Sequence, residues 1–420
     1  MRLNNFYIFH HYLCRLEAAW EAIMNILYPQ WKSFGVEDIT EAFGLLGHTV
    51  IQYPHEPSNY RIDPKYKSEL KKYIRAEGID LVFTSNYFPV ISDACNEAKI
   101  IYISWCYDSP LVLTYSRTIF NPCNRIFIFD SQMVYDLSCL GAKNVFYMPM
   151  AVNARRLAEM SATPEQKKII EADVSFVGSL YTEKHTLYDR MEKLDAHTRG
   201  YLEGVMASQM LVYGYNFIED TLTPAIMEKM QEAMPLETNI GGMETPGYTY
   251  ANYFLCRKIT QTERTEILGG ISHMLKDTTL PGGIPAMPLK LYTPGETPFL
   301  PDVKNMGTIH YMYEMPLVFQ NSKINLNITL RSIKNGIPLR AMDIMGAGGF
   351  LITNYQNDFD RHFIDGEDFV SYSSREDLYN KTRYYLKHND ERMDIARNGC
   401  KSVRENHTYE KRLAEMLETI

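Results

Sequence analysis

The residues best suited to chemistry lie between Ser322 and Asn354. Arg331, Lys334 and Arg340 bring cations close together in the chain. Asp343 follows Arg340 at i+3, which puts the two on one side of a helix. Asn335 and Gly336 sit in a loop just ahead of Pro338. Proline suits the first helical turn, where its missing N–H leaves no bond unmade. A helix starting there turns free N–H groups and a partial positive charge toward an anion. Such a set is suited to holding a phosphate through its cations and a hydroxylated sugar through its carboxylate. The plainer reading of the same spacing is a structural strand–helix–strand unit with an Arg340–Asp343 surface pair and a solvated loop.

The flanking pattern says what must position these groups. Ile324, Leu326 and Ile328 alternate with Asn325, Asn327 and Thr329, a period of two that predicts a strand. Leu330 to Ile337 is a loop. Leu339, Met342 and Met345 give the next helix its apolar spacing, Gly346, Gly348 and Gly349 stop it, and Phe350 to Thr353 form another strand. In open α/β sheets ligands sit beyond the carboxyl ends of parallel strands, and the loop lies there. Asn325 and Asn327 need partners in neighbouring loops or in the cleft, because a buried unpaired amide is costly. Lys323 reads as structural.

The same rhythm runs through most of the chain. Short strands are expected at 26–28, 49–53, 81–84, 100–105, 125–129 and 145–148, with helices at 36–46, 65–77 and 132–140. Strands and helices alternating in this way predict a doubly wound parallel sheet. Residues 154–172 read as a linker, and Val174 to Val177 restarts a second sheet. Residues 187–280 break the rhythm with helical spacing and read as an insertion, whose stretch 241–250 is loop-like. The second sheet resumes at 289–293, continues at 308–312 and ends with a strand at 369–372, followed by helices at 376–387, 391–405 and 409–419. The expected division is therefore 1–23 as an extension, 24–153 as a first Rossmann-like domain, 173–405 as a second, and 406–420 as a terminal helix. The extension reads as an amphipathic helix or as an upstream translation start, the second preferred.

Other candidates follow from position. Gly35, in the loop after the first strand, either permits close backbone approach or serves only the turn. Asp108 follows the fourth strand, where a carboxylate either orients a hydroxyl and acts as a base or caps a helix. Asp130, before Ser131-Gln132, reads as a cap. Gly178 and Ser179 follow the first strand of the second sheet.

Several stretches carry a resemblance. SKINLNITLRSIKNGIPLRAMDIMGAGGFLITN resembles the sugar-nucleotide site of GT-B glycosyltransferases, and SREDLYNKTRYYLKHNDERMDIARNG resembles the closing segment of the CgeB-type, spore-maturation branch. WKSFGVEDITEAFGLLGH resembles that family's first strand–loop–helix. The resemblance implies two Rossmann-like domains facing a cleft and a glycosyltransferase that takes a nucleoside-diphosphate sugar as substrate, with no cofactor and no metal. Family-4 type members carry two acidic residues eight positions apart here; Asn335 stands at the earlier position and Asp343 at the later, ribose-binding one. Their basic pair after the first strand of the second domain falls on Ser179 and near Lys184 or His185, so Arg331 or Arg340 would supply the missing charge. Gly35, Gly178, Ser179, Arg331, Asn335, Gly336, Pro338, Arg340 and Asp343 are thus the implied donor-binding set, and Asp108 the implied acceptor-side catalytic residue. The acceptor (a glycan, protein or small molecule) is not identified. A fold relative without turnover, binding nucleotide or sugar or associated with a spore coat, is the alternative, and a sugar-nucleotide epimerase a weaker one.

Composition bounds the rest. A net charge of -8 argues against a general nucleic-acid binder. Seven cysteines without a CxxC pair suggest neither a zinc site nor a disulfide framework, and point to a reduced, cytoplasmic setting. No apolar run reaches membrane-spanning length. Gly346-Ala-Gly348-Gly349 lies after a helix and before a strand, the reverse of a dinucleotide fingerprint.

Overall fold

The computed structural model describes residues 23–29, 31, 35–182, 187–237 and 239–420. Two parallel six-stranded sheets organise it. The first contains β1 (Asn25–Pro29), β2 (Thr49–Tyr53), β3 (Leu81–Ser85), β4 (Ile101–Cys106), β5 (Asn124–Ile128) and β6 (Val145–Tyr147), in the order β2-β1-β3-β4-β5-β6. β3 is buried along its whole length, as a strand covered on both faces must be. The helices α1 (Val36–Leu45), α2 (Pro64–Ala76), α3 (Pro89–Ala98) and α4 (Ser131–Cys139) connect these strands. α3 is absent from the sequence expectation; Pro89 opens it, its first residues are almost wholly buried, and Asp93, Asn96 and Glu97 form its outer side.

Two short helices, α5 (Ala154–Glu159) and α6 (Pro164–Ile170), occupy the stretch expected as a linker, capped by Asn153 and by a Thr163–Gln166 capping box. The second sheet starts at β7 (Ala172–Val177). The inserted segment then contributes α7 (Ala196–Met210), α8 (Pro224–Ala233), α9 (Pro246–Thr249) and α10 (Cys256–Lys276). Residues 241–250 are not all loop: Thr245 caps α9 with Pro246 in its first turn, and a π-helical segment, Tyr250–Leu255, runs on into α10. A two-stranded hairpin, β8 (Thr279–Leu280) and β9 (Ile284–Pro285), leads back to β10 (Lys290–Tyr292), β11 (Lys304–Asn305), α11 (Met315–Gln320), β12 (Ser322–Asn327), α12 (Leu339–Gly346), β13 (Leu351–Asn354) and β14 (Val370–Tyr372). Residues 308–312, expected as a strand, form a loop instead. β11 takes the edge position, and Gly307, at φ 78°, turns the chain away from the sheet.

The second sheet runs β11-β10-β7-β12-β13-β14. β7 is its first strand and lies between β10 and β12, so the order reverses at the β7/β12 edge. That edge is the switch point where an open α/β sheet forms its ligand crevice. The amides expected to need partners have them. Asn325 accepts from Ser175 and donates to the carbonyls of Phe319 and Phe350, and Asn327 donates to Thr329 and Thr353. Lys323 pairs with Asp173.

After α13 (Arg375–Tyr385) and α14 (Asn389–Asn406), the chain returns to the first sheet as α15 (Tyr409–Leu417), which packs on α1. Val152 and Tyr409 hold the crossing by backbone bonds, and Arg125 donates to the carbonyl of Thr419. One apolar cluster runs from Phe83 and Trp105 through Val152 and Tyr409 to Met342 and Met345, so the two sheets share a core. No helix among the described residues is long and apolar enough to cross a membrane.

Leu413 is fully buried at this crossing while Glu410, one turn earlier, is only partly so. Leu413→Ala is expected to cost roughly 2–5 kcal/mol, read as a lowered melting temperature, and Glu410→Ala is expected to leave melting almost unchanged.

Candidate functional site

The β7/β12 crevice is bounded by the residues that end these two strands. Gly178 and Ser179 follow β7, and Gly178 donates its N–H to the carbonyl of Tyr292. α12 faces the same edge. Pro338 is its N-cap, in extended backbone, and not a first-turn residue as the sequence suggested; no side chain caps the turn. The N-terminus of α12 therefore keeps first-turn N–H groups without a side-chain cap at the β7/β12 edge, the arrangement that favours an anion.

Arg340 and Asp343 stand on this helix. Arg340 donates Nη1 to the carbonyl of Val177 at 2.9 Å and lies over the Phe319 ring. Its Nε is 3.8 Å from Asp343 Oδ2, too long for a hydrogen bond. Both atoms are buried and, among the described residues, make an ion pair with each other but no hydrogen bond. The other oxygen, Oδ1, accepts from the Tyr311 hydroxyl at 3.0 Å. Burial pushes the Asp343 carboxyl up to about 6, with Asp38 adding to the rise, while Arg340, Tyr311 and Arg156 oppose it. Asp343 thus has one oxygen bonded and one buried without a hydrogen bond, beside a guanidinium whose Nε–H is also unbonded.

The first half closes over this point. Gly35 adopts φ 79° at the N-terminus of α1, and a Cβ there would meet the Tyr409 hydroxyl at 2.9 Å, so glycine is required twice over. The Tyr107 and Tyr409 hydroxyls lie 3.4 Å apart. Asp38 on α1 takes a two-pronged contact from Arg156 and a further bond from Asn153. Asp38, Arg156, Tyr311, Asp343 and Tyr409 line one small cavity between the two sheets.

Asp108 follows β4 on the first half and is exposed. It caps no helix. It accepts from the Asn86 amide at 2.8 Å, and the Asn86 oxygen in turn accepts from the backbone N–H groups of Tyr107 and Asp108. The residue keeps contact with solvent, yet desolvation by the surrounding protein raises its carboxyl above the usual range, with Asn86 and Arg257 opposing. Asp130 is a helix cap as expected, accepting from Gln132 N–H, and it does more. It also accepts from the Ser109 hydroxyl and from the backbone N–H groups of Lys334 and Asn335.

Not every residue singled out in the sequence reaches the crevice. Arg331 is buried against the insertion, with Glu263 bonded to Nε and Nη2 at 2.7 and 2.6 Å and the Tyr213 ring 4.2 Å away. Its charge is neutralised inside the fold, so it is an anchor and not a free phosphate ligand. Asn335 donates its amide to Ser131 and accepts from Asn357. Gly336 is pressed onto the first half, where a Cβ would lie 2.8 Å from the Phe129 ring. The Ser179 hydroxyl accepts from Tyr181 N–H. Lys184 and His185 lie outside the described residues. Asp358 and Asp360 have the spacing of an acidic metal pair, but Asp358 accepts from Ser131 and Asp360 from Tyr355. A separate cavity of about 830 Å³ lies at the amino end of β12, lined by Lys323, Arg392 and Arg404, away from the carboxyl ends where the polar groups converge.

Tyr311 and Arg264 were not anticipated. Tyr311 stands on the loop misread as a strand. Arg264, on α10, donates to the carbonyls of Ser179 and Ile328, the residues just past β7 and β12. A charged residue on the apolar stripe of Ile259, Ile267 and Ile271 was the available signal.

The comparisons agree with this architecture. Residues 274–418 match a family model described as glycosyl transferase-like. No curated protein matches. Among solved structures, the chain resembles a sucrose-phosphate synthase from Thermosynechococcus elongatus, with TM-score 0.54, 11% identity, and coverage of 94% of this chain and 98% of that one. It also resembles Anabaena Alr3699/HepE in complex with UDP-glucose, with TM-score 0.53, 11% identity, and coverage of 94% and 100%. At such identities the likeness establishes the fold: the protein has the GT-B architecture, two Rossmann-like halves with parallel sheets.

Asp343 carries a test that needs no ligand. Its carboxyl titrates near 6 in the folded chain against an ordinary 3.8, so the native state holds the proton more tightly than the unfolded one. Ionisation therefore costs native stability as pH climbs between these values, and the cost is constant above about 6. Asp343→Asn is expected to melt higher than wild type near pH 8, by on the order of 1–3 kcal/mol. The margin should vanish toward about pH 4; calorimetry across this range checks it.

Proposed function

We propose that the protein is a GT-B glycosyltransferase that moves a sugar from a nucleoside-diphosphate donor to a hydroxyl-bearing acceptor. The observation that carries this reading is the half-held carboxylate of Asp343 beside Arg340, at the uncapped end of α12 and at the switch point of the second sheet. A ribose hydroxyl would supply the hydrogen bond that Asp343 Oδ2 lacks. The departing diphosphate fits the α12 terminus and Arg340, which stabilise charge as the bond from sugar to phosphate lengthens. These groups supply the positive charge from the protein itself, so the reading calls for no metal ion. The CgeB-type branch and a hexose as the transferred sugar are finer readings supported by the sequence resemblance alone.

In the proposed reaction the acceptor oxygen bonds to the anomeric carbon, the bond from that carbon to the diphosphate oxygen breaks, and the diphosphate keeps the electron pair. The acceptor proton passes to Asp108, whose raised carboxyl suits a base better than an ordinary aspartate. Uridine diphosphate sugars are the first donors to try, because one fold neighbour was solved with UDP-glucose.

One observation favours a second reading. Asn335 stands where a carboxylate is usual in the family resembled, and its amide is committed to Ser131 and Asn357. A fold relative that binds a nucleotide sugar without turning it over would look like this. Release of free or transferred sugar separates the two.

The test is a melting panel of nucleoside diphosphates and nucleotide sugars on wild type and Asp343→Ala. A ligand that binds only the native state raises the melting temperature. One nucleotide sugar is expected to stabilise wild type and not the variant, and its affinity should weaken as pH falls through about 6, where Asp343 takes up its proton. If millimolar donor shifts neither protein, the donor-site reading fails. Asp108→Asn is expected to lower kcat by about 10²–10⁴ while donor affinity stays at the wild-type value; unchanged turnover would remove Asp108 from the mechanism.

A further inference from the structure

The face of α10 that looks into the second sheet carries Thr260, Glu263 and Arg264. Thr260 accepts from Arg331 N–H, and Glu263 is engaged by Arg331 and by the Tyr213 hydroxyl. Arg264 is left without a carboxylate: among the described residues it forms no ion pair, although it is only 8% exposed. Among the described residues its guanidinium bonds only to backbone carbonyls, those of Ser179 and Ile328, and it lies over the rings of Phe176 and Tyr181. Those carbonyls belong to the residues that follow β7 and β12, the strands that bracket the switch point. Arg340 approaches the same place from α12, through the carbonyl of Val177. The end of β7 therefore runs between two arginines. Gly178 presents no side chain there; a Cβ would stand 3.7 Å from Arg264 Nη1.

A buried charge without a counter-ion is among the costliest features a fold can retain. Arg264 and Arg340 lie close enough for their charges to act on each other, and one carboxylate, Asp343, stands 3.8 Å from Arg340 Nε, so the two guanidiniums share a single counter-charge. Ser179 is uncharged and cannot replace the arginines at this point. We propose that Arg264 and Arg340 form a two-arginine clamp for the diphosphate of the donor, so that the helical insertion, through Arg264, is part of the donor site and not a peripheral elaboration. Two planar guanidiniums on either side of β7 suit the several oxygens of a diphosphate better than those of a single phosphate. The clamp rests on the donor-site reading above and names the residue that binds its most charged part.

The experiment uses the full chain, wild type against Arg264→Gln and Arg264→Lys. The probes are inorganic pyrophosphate and the 5′-diphosphate, 5′-monophosphate and nucleoside of the base found in the melting panel, titrated calorimetrically. Wild type should prefer the diphosphate to the monophosphate and should melt higher with pyrophosphate. Arg264→Gln is expected to lose about 100-fold in diphosphate affinity, a charge-assisted pair's worth, to lose the pyrophosphate response, and to keep the nucleoside affinity. Arg264→Lys, which keeps the charge and most of the packing, should lose about tenfold for the diphosphate alone; it decides the matter if the glutamine variant does not fold. Variants that melt lower yet keep the wild-type preference for diphosphate would show Arg264 to be only a tie between insertion and sheet, and would overturn the clamp while leaving the donor site standing. If neither wild type nor Asp343→Ala responds to any nucleotide or nucleotide sugar, the donor-site reading and the clamp fall together.

Discussion

One carboxylate fixes how the two halves meet. Asp130 accepts from Gln132 at the start of α4, from Ser109 in the loop after β4, and from the backbone N–H groups of Lys334 and Asn335. A carboxylate has lone pairs for four such donors, and here all four are used at nearly complete burial. The loop before α12 can then lie in only one place relative to the first sheet. Asp358 repeats the arrangement in the other direction, accepting from Ser131. Gly336 follows from the same constraint, because the backbone must come within contact of Phe129. The position of α12, and so of Arg340 and Asp343, depends on this clasp.

The insertion adds a second brace. On the first half, Arg61 pairs with Glu244, Tyr253 bonds to the Pro110 carbonyl and the Val112 N–H, and Met243 bonds to Tyr115. On the second half, Thr260, Glu263 and Arg264 hold the loops after β7 and β12. A segment that grips both halves limits how far they can part, and it places Arg257 near Asp108, where its charge acts on that carboxyl. Asp343 is buried with one oxygen unbonded, Arg264 is buried with carbonyls and no carboxylate as partners, and half-buried Arg340 stands between them, a local conflict with stability of the kind that marks working sites.

The fold was legible because its signals are local. Apolar strands alternate with capped helices, and the strand expected at 49–53 coincides with β2. Arg340 and Asp343 were legible for the same reason, since i+3 spacing on a helix next to a strand end needs no tertiary information. Arg331 and Asn335 misled because their partners, Glu263 and Ser131, are far away in the chain, and no spacing rule announces them. Arg264 lay in the stretch read only as a helical insertion, and its partners, the carbonyls of Ser179 and Ile328, are far away in the chain. Tyr311 was lost with its loop, because apolar and aromatic residues at 308–312 imitate a strand until Gly307 is seen to turn the chain out of the sheet.

The return of α15 to the first half reaches beyond the resting structure. Tyr409, Leu413 and Met416 are part of the core that also holds Ile26, Phe43 and Trp105. The half that is synthesised first therefore lacks part of its interior until residues 409–417 have been made. Domains generally fold in the order in which they leave the ribosome, but here the earlier one must wait, with an apolar face of α1 uncovered, while the later one is assembled. Its maturation is timed by the last helix of the second half, and a chain interrupted anywhere before that helix presents an unfinished core to the cell's chaperones and proteases.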